Sequence, residues 1–107
     1  MRKLLLATST VLLIATIDAA AAVAPTVQVG DNFFKPKSVT VRHGTKVSWH
    51  WVGMLMHNVT FVSGPKGARS FHSKTVNKGD YSHVFTTKGK YLLVCTIHGF
   101  TMTVKVT

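Results

Sequence analysis

The chain has 107 residues, with 13 Lys and Arg against 3 Asp and Glu, and a formal net charge of +10. Domains usually hold about 100–200 residues, so this length predicts a single domain. One Cys excludes an intramolecular disulfide framework and any metal site that needs two thiolates from one chain. A hydrophobic fraction of 46% excludes the disordered class, which lacks the apolar surface needed to fold.

The first 24 residues have the composition of an export signal. Met1-Arg2-Lys3 is basic, Leu4–Ile17 is uncharged and mostly apolar, and Ala22-Val23-Ala24 offers the small residues of a cleavage site. A membrane-spanning helix is the weaker alternative, because about 20 apolar residues are needed to cross a bilayer and Asp18 interrupts the run. We therefore predict a signal peptide over residues 1–24 and an exported protein, periplasmic or secreted, with no membrane span after cleavage.

Cleavage would leave a mature domain over residues 25–107 with 11 basic and 2 acidic side chains, because it removes Arg2, Lys3 and Asp18. A domain of this size is marginal on hydrophobic burial alone, and exported domains of this size often use disulfides. This domain has none to use, so a bound metal is one candidate for additional stabilisation.

Short apolar alternations separated by turn residues run through the mature domain. In chain order they are Val39–Val41, Val47–Trp51, Val59–Phe61, the weaker segment Phe71–Val76, Tyr81–Phe85, Tyr91–Cys95 and Met102–Val106. Alternation indicates half-buried strands, and strands spaced about 8–12 residues apart indicate a sandwich or barrel. The sequence therefore predicts an all-β domain of 7–8 strands, in which Trp49 and Trp51 share one buried face.

The last part of the chain contains a candidate metal-ligand set. Cys95, His98 and Met102 lie within eight residues of each other, and His57 begins an earlier strand. One thiolate, two imidazoles and a thioether make up the ligand set of electron-transfer copper sites. Thiolate and thioether favour Cu(I), whereas imidazole binds both Cu(I) and Cu(II), so such a set lets the ion change charge with little rearrangement.

Two blocks of the sequence resemble the small blue-copper cupredoxins of the plastocyanin, amicyanin and pseudoazurin type. The segment Gly89–His98 looks like their Gly-x-Tyr-x-x-x-Cys-x-x-His block, and His57–Phe61 looks like their first-ligand segment. The resemblance covers nearly all of residues 26–107. It implies a Greek-key β-sandwich that holds one copper ion and carries single electrons.

The resemblance also implies a role for each residue of the site. The implied equatorial ligands are His57, Cys95 and His98, the implied axial ligand is Met102, and Asn58 is implied to brace the ligand loop. Met102 follows His98 by four positions, whereas amicyanin-like loops place the Met three positions after the His and plastocyanin-like loops five. Thr101 occupies the amicyanin-like position, but the spacing of Met102 from Val104 and Val106 favours Met102.

Enzyme classes are the less favoured interpretation. A Cys–His nucleophile needs an orienting acid, and Asp31 and Asp80 lie in predicted turns with neither His nearby in sequence. A multicopper oxidase needs more domains and a His on both sides of its Cys, whereas Val94 and Thr96 flank Cys95. Structural zinc needs a closed four-ligand site, usually with more Cys. We therefore expect electron transfer without substrate turnover.

The remaining histidines and the exposed apolar residues receive simpler interpretations. We predict that His43, His50, His72 and His83 are surface or second-face residues rather than ligands. Met54 and Met56, just before His57, are predicted to form an adaptable apolar rim around the site, together with Phe100.

The sequence thus predicts a monomeric carrier that exchanges electrons with redox proteins, and its positive charge suggests acidic docking surfaces on those partners. Nucleic acid is not the expected partner, because the protein is predicted to be exported and its basic residues are spread over several turns. Two alternatives stay open: a copper-delivery protein on the same fold, and a metal-free secreted adhesion module.

Overall fold

The computed structural model describes residues 24–107, so the predicted signal peptide lies almost entirely outside the described residues and stays a prediction. These residues form eight strands: β1 (Thr26–Gly30), β2 (Phe33–Lys35), β3 (Ser38–Val41), β4 (Thr45–Trp51), β5 (Thr60–Ser63), β6 (Asp80–Phe85), β7 (Gly89–Val94) and β8 (Thr101–Val106). No helix that could cross a bilayer occurs in the described part of the chain.

The strands form two four-stranded sheets, with the orders β2-β1-β4-β6 and β3-β8-β7-β5. The pairs β1·β4 and β3·β8 are parallel, whereas the other neighbours within each sheet are antiparallel. This two-sheet architecture confirms the predicted all-β sandwich and its number of strands.

The core lies between the two sheets and follows the period-two pattern of the strands. Strand β4 buries Val47, Trp49 and Trp51 while its alternate residues are less buried, which confirms the predicted shared face of the two Trp side chains. Side chains of β7 and β8 cover them from the opposite sheet, among them Leu93 and Val104. Burying each large apolar side chain contributes about 1.5–3 kcal/mol, so this layer is the main stabilising element of the domain.

The structure differs from the predicted strands in two places. Strands β1 and β2 were not among the predicted segments, although Val27 and Val29 do alternate and both are fully buried. The predicted weak strand Phe71–Val76 is wrong: the segment makes only isolated bridges, between Thr60 and His72 and between His57 and Val76. Phe71 and Val76 both pack against the core, but they lie an odd number of residues apart. A regular strand would place them on opposite faces.

The parallel pairing of β1 with β4 determines which loops meet at the end of the sandwich. Its register aligns Val29 with Trp51, so both strands leave the sheet at the same end. The turn after β1 therefore lies beside the loop after β4, which leads into His57. Strands β7 and β5 bring Cys95 to this end as well, because Val94 pairs with Thr60.

Candidate metal centre

Three of the four predicted ligands converge at this end of the sandwich. One donor atom from each of His57, Cys95 and His98 lies within 4.8 Å of the other two. The Cys95 Sγ is 3.7 Å from His57 Nδ1, and the Nδ1 atoms of the two histidines are 3.1 Å apart. His57 and Cys95 are fully buried, whereas His98 is exposed. The site thus has a closed inner side and one imidazole at the surface.

A tight loop after β7 carries two of these ligands. The Gly99 N–H donates to the Cys95 carbonyl at 2.7 Å, and the Cys95 N–H donates to the Phe100 carbonyl at 2.9 Å. Gly99 has a φ of +81°, in the left-handed region that favours glycine. These bonds close a short turn that places His98 above Cys95.

Asn58 ties the two ligand segments together, as the resemblance implied. Its Nδ2 donates to the hydroxyls of Thr75 and Thr96, at 2.9 Å and 2.8 Å. Its Oδ1 accepts the Thr96 N–H at 3.1 Å and the Thr60 hydroxyl at 2.8 Å. Because Thr96 directly follows Cys95, the buried Asn58 side chain fixes the spacing between the first and second ligands.

The backbone of His57 is held equally firmly. Its N–H donates to the Val76 carbonyl at 2.9 Å, and its carbonyl accepts the Val76 N–H at 3.0 Å. The Trp51 indole N–H donates to the same carbonyl at 3.2 Å. Trp51 was predicted only as a core residue, and no sequence pattern indicated this second role. Three hydrogen bonds therefore hold the main chain at His57 in place without involving its side chain.

The side chain of His57 contacts a carboxylate that the sequence did not predict. Its Nε2 lies 2.8 Å from Oδ1 of Asp31, which also accepts the N–H groups of Met54 and Leu55 at 3.1 Å and 3.0 Å. The hydrogen bond from His57, and then those from the Leu55 and Met54 N–H groups, lower the pKa of Asp31 to about 2. The expectation that neither His has an acid nearby was wrong, because strand pairing rather than sequence proximity brings Asp31 to His57.

Asp31, His57 and Cys95 have the connectivity of a nucleophilic triad, so the thiol-enzyme alternative requires a different test. A thiol nucleophile must be reached by its substrate, and reactive cysteines are partially exposed. Both Cys95 and His57 are 0% exposed. A substrate carbonyl therefore has no path to Sγ in this structure, and the arrangement fits a buried metal site better than a hydrolase.

Met102, the predicted axial ligand, lies deeper in the sandwich. It is buried on β8, opposite Leu93, and its sulfur accepts the Trp49 indole N–H at 3.2 Å. The residue whose backbone pairs with Cys95 is Phe100. The Phe100 ring packs edge-on against His57, with centroids 5.3 Å apart, and against Phe34 at 4.7 Å. The predicted rim residue Phe100 is thus a half-buried part of the inner wall.

The rim of the site is mostly apolar, apart from the part-exposed carboxylate of Asp31, which accepts the Met54 and Leu55 N–H groups. It includes several large side chains that are exposed, namely Val52, Met54, Leu55, Met56 and Ile97. Met54 is 83% exposed, which agrees with its predicted place outside the core. The segments 52–58 and 96–101 contain no charged residue, and the Lys and Arg side chains of the described residues are exposed and lie outside these two segments. A partner would therefore meet an apolar surface around His98.

The other histidines lie outside the site, as predicted. His43, His50 and His72 are exposed. His83 is half-buried instead, because its ring stacks on Phe71 with centroids 3.7 Å apart. Burial lowers the pKa of His83 below its usual value.

The donor set can be tested against copper on its chemistry. A buried thiol sulfur and two imidazole nitrogens converge, and in the neutral His57 ring the carboxylate at Nε2 selects the tautomer whose Nδ1 lone pair can bind a metal. Soft thiolate with imidazole suits copper in both oxidation states. The residues present therefore fit a mononuclear copper ion.

Comparisons with known proteins agree with this chemistry. The family model described as "Copper binding proteins, plastocyanin/azurin family" matches residues 21–107. Amicyanin-alpha of Methylorubrum extorquens is 31% identical over 75 residues, which cover 69% of this chain and 63% of that protein. The match thus spans less than two thirds of that relative.

Solved structures give the same result for the fold. The Cu(I) form of an amicyanin variant is 29% identical, with a TM-score of 0.69 over 78% of this chain and 82% of that one. A purple cupredoxin from Nitrosopumilus maritimus has a TM-score of 0.67 over 77% of this chain and 98% of that one. At 21% identity, the second similarity supports the fold alone.

Proposed function

Because the chain belongs to the copper-binding plastocyanin/azurin family, we propose that it is an exported one-electron carrier that shuttles electrons between larger redox proteins. The observation that carries the proposal is the convergence of His57, Cys95 and His98, two of them buried, at an apolar end of the sandwich. We propose these three residues as the strong copper ligands.

When bound, copper supplies the chemistry, which is the exchange of one electron between Cu(II) and Cu(I). The protein supplies a fixed geometry through the Asn58 bridge and the backbone bonds of His57. The closed inner wall keeps water from Cys95, and His98 offers an imidazole edge at the surface through which an electron can pass to a docked partner. No substrate turnover is part of the proposal.

Met102 is retained as the proposed axial ligand. A thioether sulfur has two lone pairs, and the Trp49 N–H occupies one of them. The second lone pair is the one that a long axial contact would use, and blue-copper sites tolerate weak axial ligands.

An absorption spectrum of the copper-loaded protein tests the proposed function. We expect an intense visible band in the oxidised protein that disappears on reduction and returns on reoxidation. Colourless Cu(I) binding that cannot be reversibly oxidised would favour copper delivery instead. Failure to bind copper would favour the adhesion module.

The partner is proposed to be a redox protein with an acidic docking surface, met by this protein as a monomer. The support is the excess of exposed Lys and Arg outside the apolar rim, which would steer an acidic partner towards the molecule. Association rates with the partner are expected to fall steeply as salt rises, because surface charges are screened. Rates that do not change with salt would contradict the steering.

A further inference from the structure

The β1–β2 turn places a carboxylate behind the buried metal ligand. Gly30 pairs with Phe33, so Asp31 and Asn32 alone form the turn, and Asn32 takes the left-handed conformation with a φ of 71°. This conformation is tolerated by Asn more readily than by most residues. The tight turn, at the end where β1 and β4 leave the sheet together, directs Asp31 at the loop before His57.

The contacts of Asp31 form a built site rather than a single chance bond. Its carboxylate accepts three N–H groups, from the Met54 and Leu55 backbone and from the His57 ring. Gly53 permits this approach, because a Cβ at position 53 would overlap the Asp31 carboxylate. The Asp31 carboxylate therefore holds both the loop before His57 and the His57 ring in place.

The bond between Asp31 and His57 determines the tautomer of the imidazole. A carboxylate only accepts hydrogen bonds, so in the neutral imidazole the ring proton lies on Nε2, and Nδ1 keeps its lone pair on the side of Cys95. His57 is 0% exposed, so water does not replace this acceptor. A carboxylate behind a ligating imidazole orients the ring and raises its basicity.

We propose that Asp31 is a positioning residue of the copper site, whose carboxylate holds His57 in the tautomer that presents Nδ1 to the metal and favours Cu(II) over Cu(I). This inference rests on the proposed function and deepens it. The negative charge stabilises the ion of higher charge more strongly, so Asp31 lowers the reduction potential of the site.

Two substitutions at Asp31 separate the effect of its negative charge from the effect of its hydrogen bond to His57. Asp31→Asn keeps an oxygen that can accept the Nε2–H of His57 but removes the charge, whereas Asp31→Ala removes both. Asp80→Asn is the matched control, because Asp80 also accepts a hydrogen bond from a histidine, His50, at 2.7 Å but lies outside the metal site.

The measurements are the reduction potential, the Cu(II) and Cu(I) affinities of the whole protein, and the ring-nitrogen NMR shifts of His57 in the metal-free protein. We expect Asp31→Ala to weaken Cu(II) binding about 10–100-fold. Each tenfold loss that falls on Cu(II) alone raises the potential by about 59 mV. Asp31→Asn should raise the potential less and keep the tautomer, and Asp80→Asn should change neither.

The outcomes distinguish this inference from the proposed function. Potentials of both Asp31 variants equal to that of Asp80→Asn would overturn the role of Asp31, as would a proton on Nδ1 rather than Nε2 of His57 in the metal-free protein. A wild-type protein that binds no copper would overturn the proposed function instead, and the NMR shifts would still decide the tautomer. Gly53→Ala, which displaces Asp31 without altering its charge, should raise the potential in the same direction as Asp31→Ala.

Discussion

Two histidine–carboxylate pairs of nearly equal length occupy different parts of this molecule. Asp31 and His57 are 2.8 Å apart at the metal end, and Asp80 and His50 are 2.7 Å apart across strands β4 and β6. The first histidine is fully buried beside Cys95 and His98, whereas the side chains of the second pair are 53% and 70% exposed. The distance alone therefore does not define a site. Burial and the neighbouring thiol make one pair part of the candidate metal centre.

The largest expected effect comes from removing the thiol of the buried site. Cys95→Ser should abolish the visible colour of the copper-loaded protein completely, because the band requires the thiolate. His50→Ala is the matched control at the exposed pair and should leave the spectrum unchanged. Colour that persists in the Ser variant would show that the ligand assignment is wrong.

The next effect concerns Met102, which connects the metal end with the core. Met102→Leu conserves volume but leaves the buried Trp49 N–H without an acceptor, which is expected to lower the free energy of unfolding by about 1–3 kcal/mol. Chemical denaturation of the metal-free protein measures this loss, and Met54→Leu, at an exposed position, should cost close to nothing. If Met102 is also the axial ligand, the same variant shifts the reduction potential of the loaded protein. An unchanged potential would contradict the axial role.

A third histidine sharpens the comparison, because His83 is partly buried without a carboxylate partner among its described contacts. Burial lowers its pKa in the folded protein, so below about pH 6.5 the unfolded chain binds more protons and stability falls with decreasing pH. The loss should develop between that pH and the lower folded pKa.

Unfolding free energies at about pH 5 and about pH 7.5, in wild type and His83→Gln, measure this dependence. The difference between the two pH values should be smaller in the variant. The exposed His72→Gln is the control and should behave as wild type. An equal pH dependence in all three proteins would contradict the effect of burial.

The smallest effect is expected at the exposed pair itself. His50→Ala and Asp80→Asn should each change the free energy of unfolding by about 0–1 kcal/mol, because exposed ion pairs are screened and gain little. A double-mutant cycle at low and high salt measures the coupling. A coupling free energy well above about 1 kcal/mol would contradict the prediction that the exposed pair contributes little to stability.

Much of the fold could be predicted from the sequence, because strand periodicity is a local property. The alternation in Val47–Trp51 predicted a buried face that the structure confirms, since neighbouring residues of a strand point to opposite sides whatever the rest of the chain does. The prediction of a weak strand over Phe71–Val76 is wrong, because this segment makes only isolated bridges. Only the packing shows that both ends face the core from an irregular path.

Part of the candidate site could likewise be predicted from the sequence, and part could not. Cys95 and His98 lie close in sequence, and the identity of the donor atoms indicates copper, so the sequence by itself predicted most of the strands and the proposed ligands. It did not reveal Asp31, which precedes His57 by 26 residues, because the parallel pairing of β1 with β4 brings the two together. It also did not show that the Met102 sulfur contacts Trp49. Contacts across strands depend on register, and only the tertiary structure decides register.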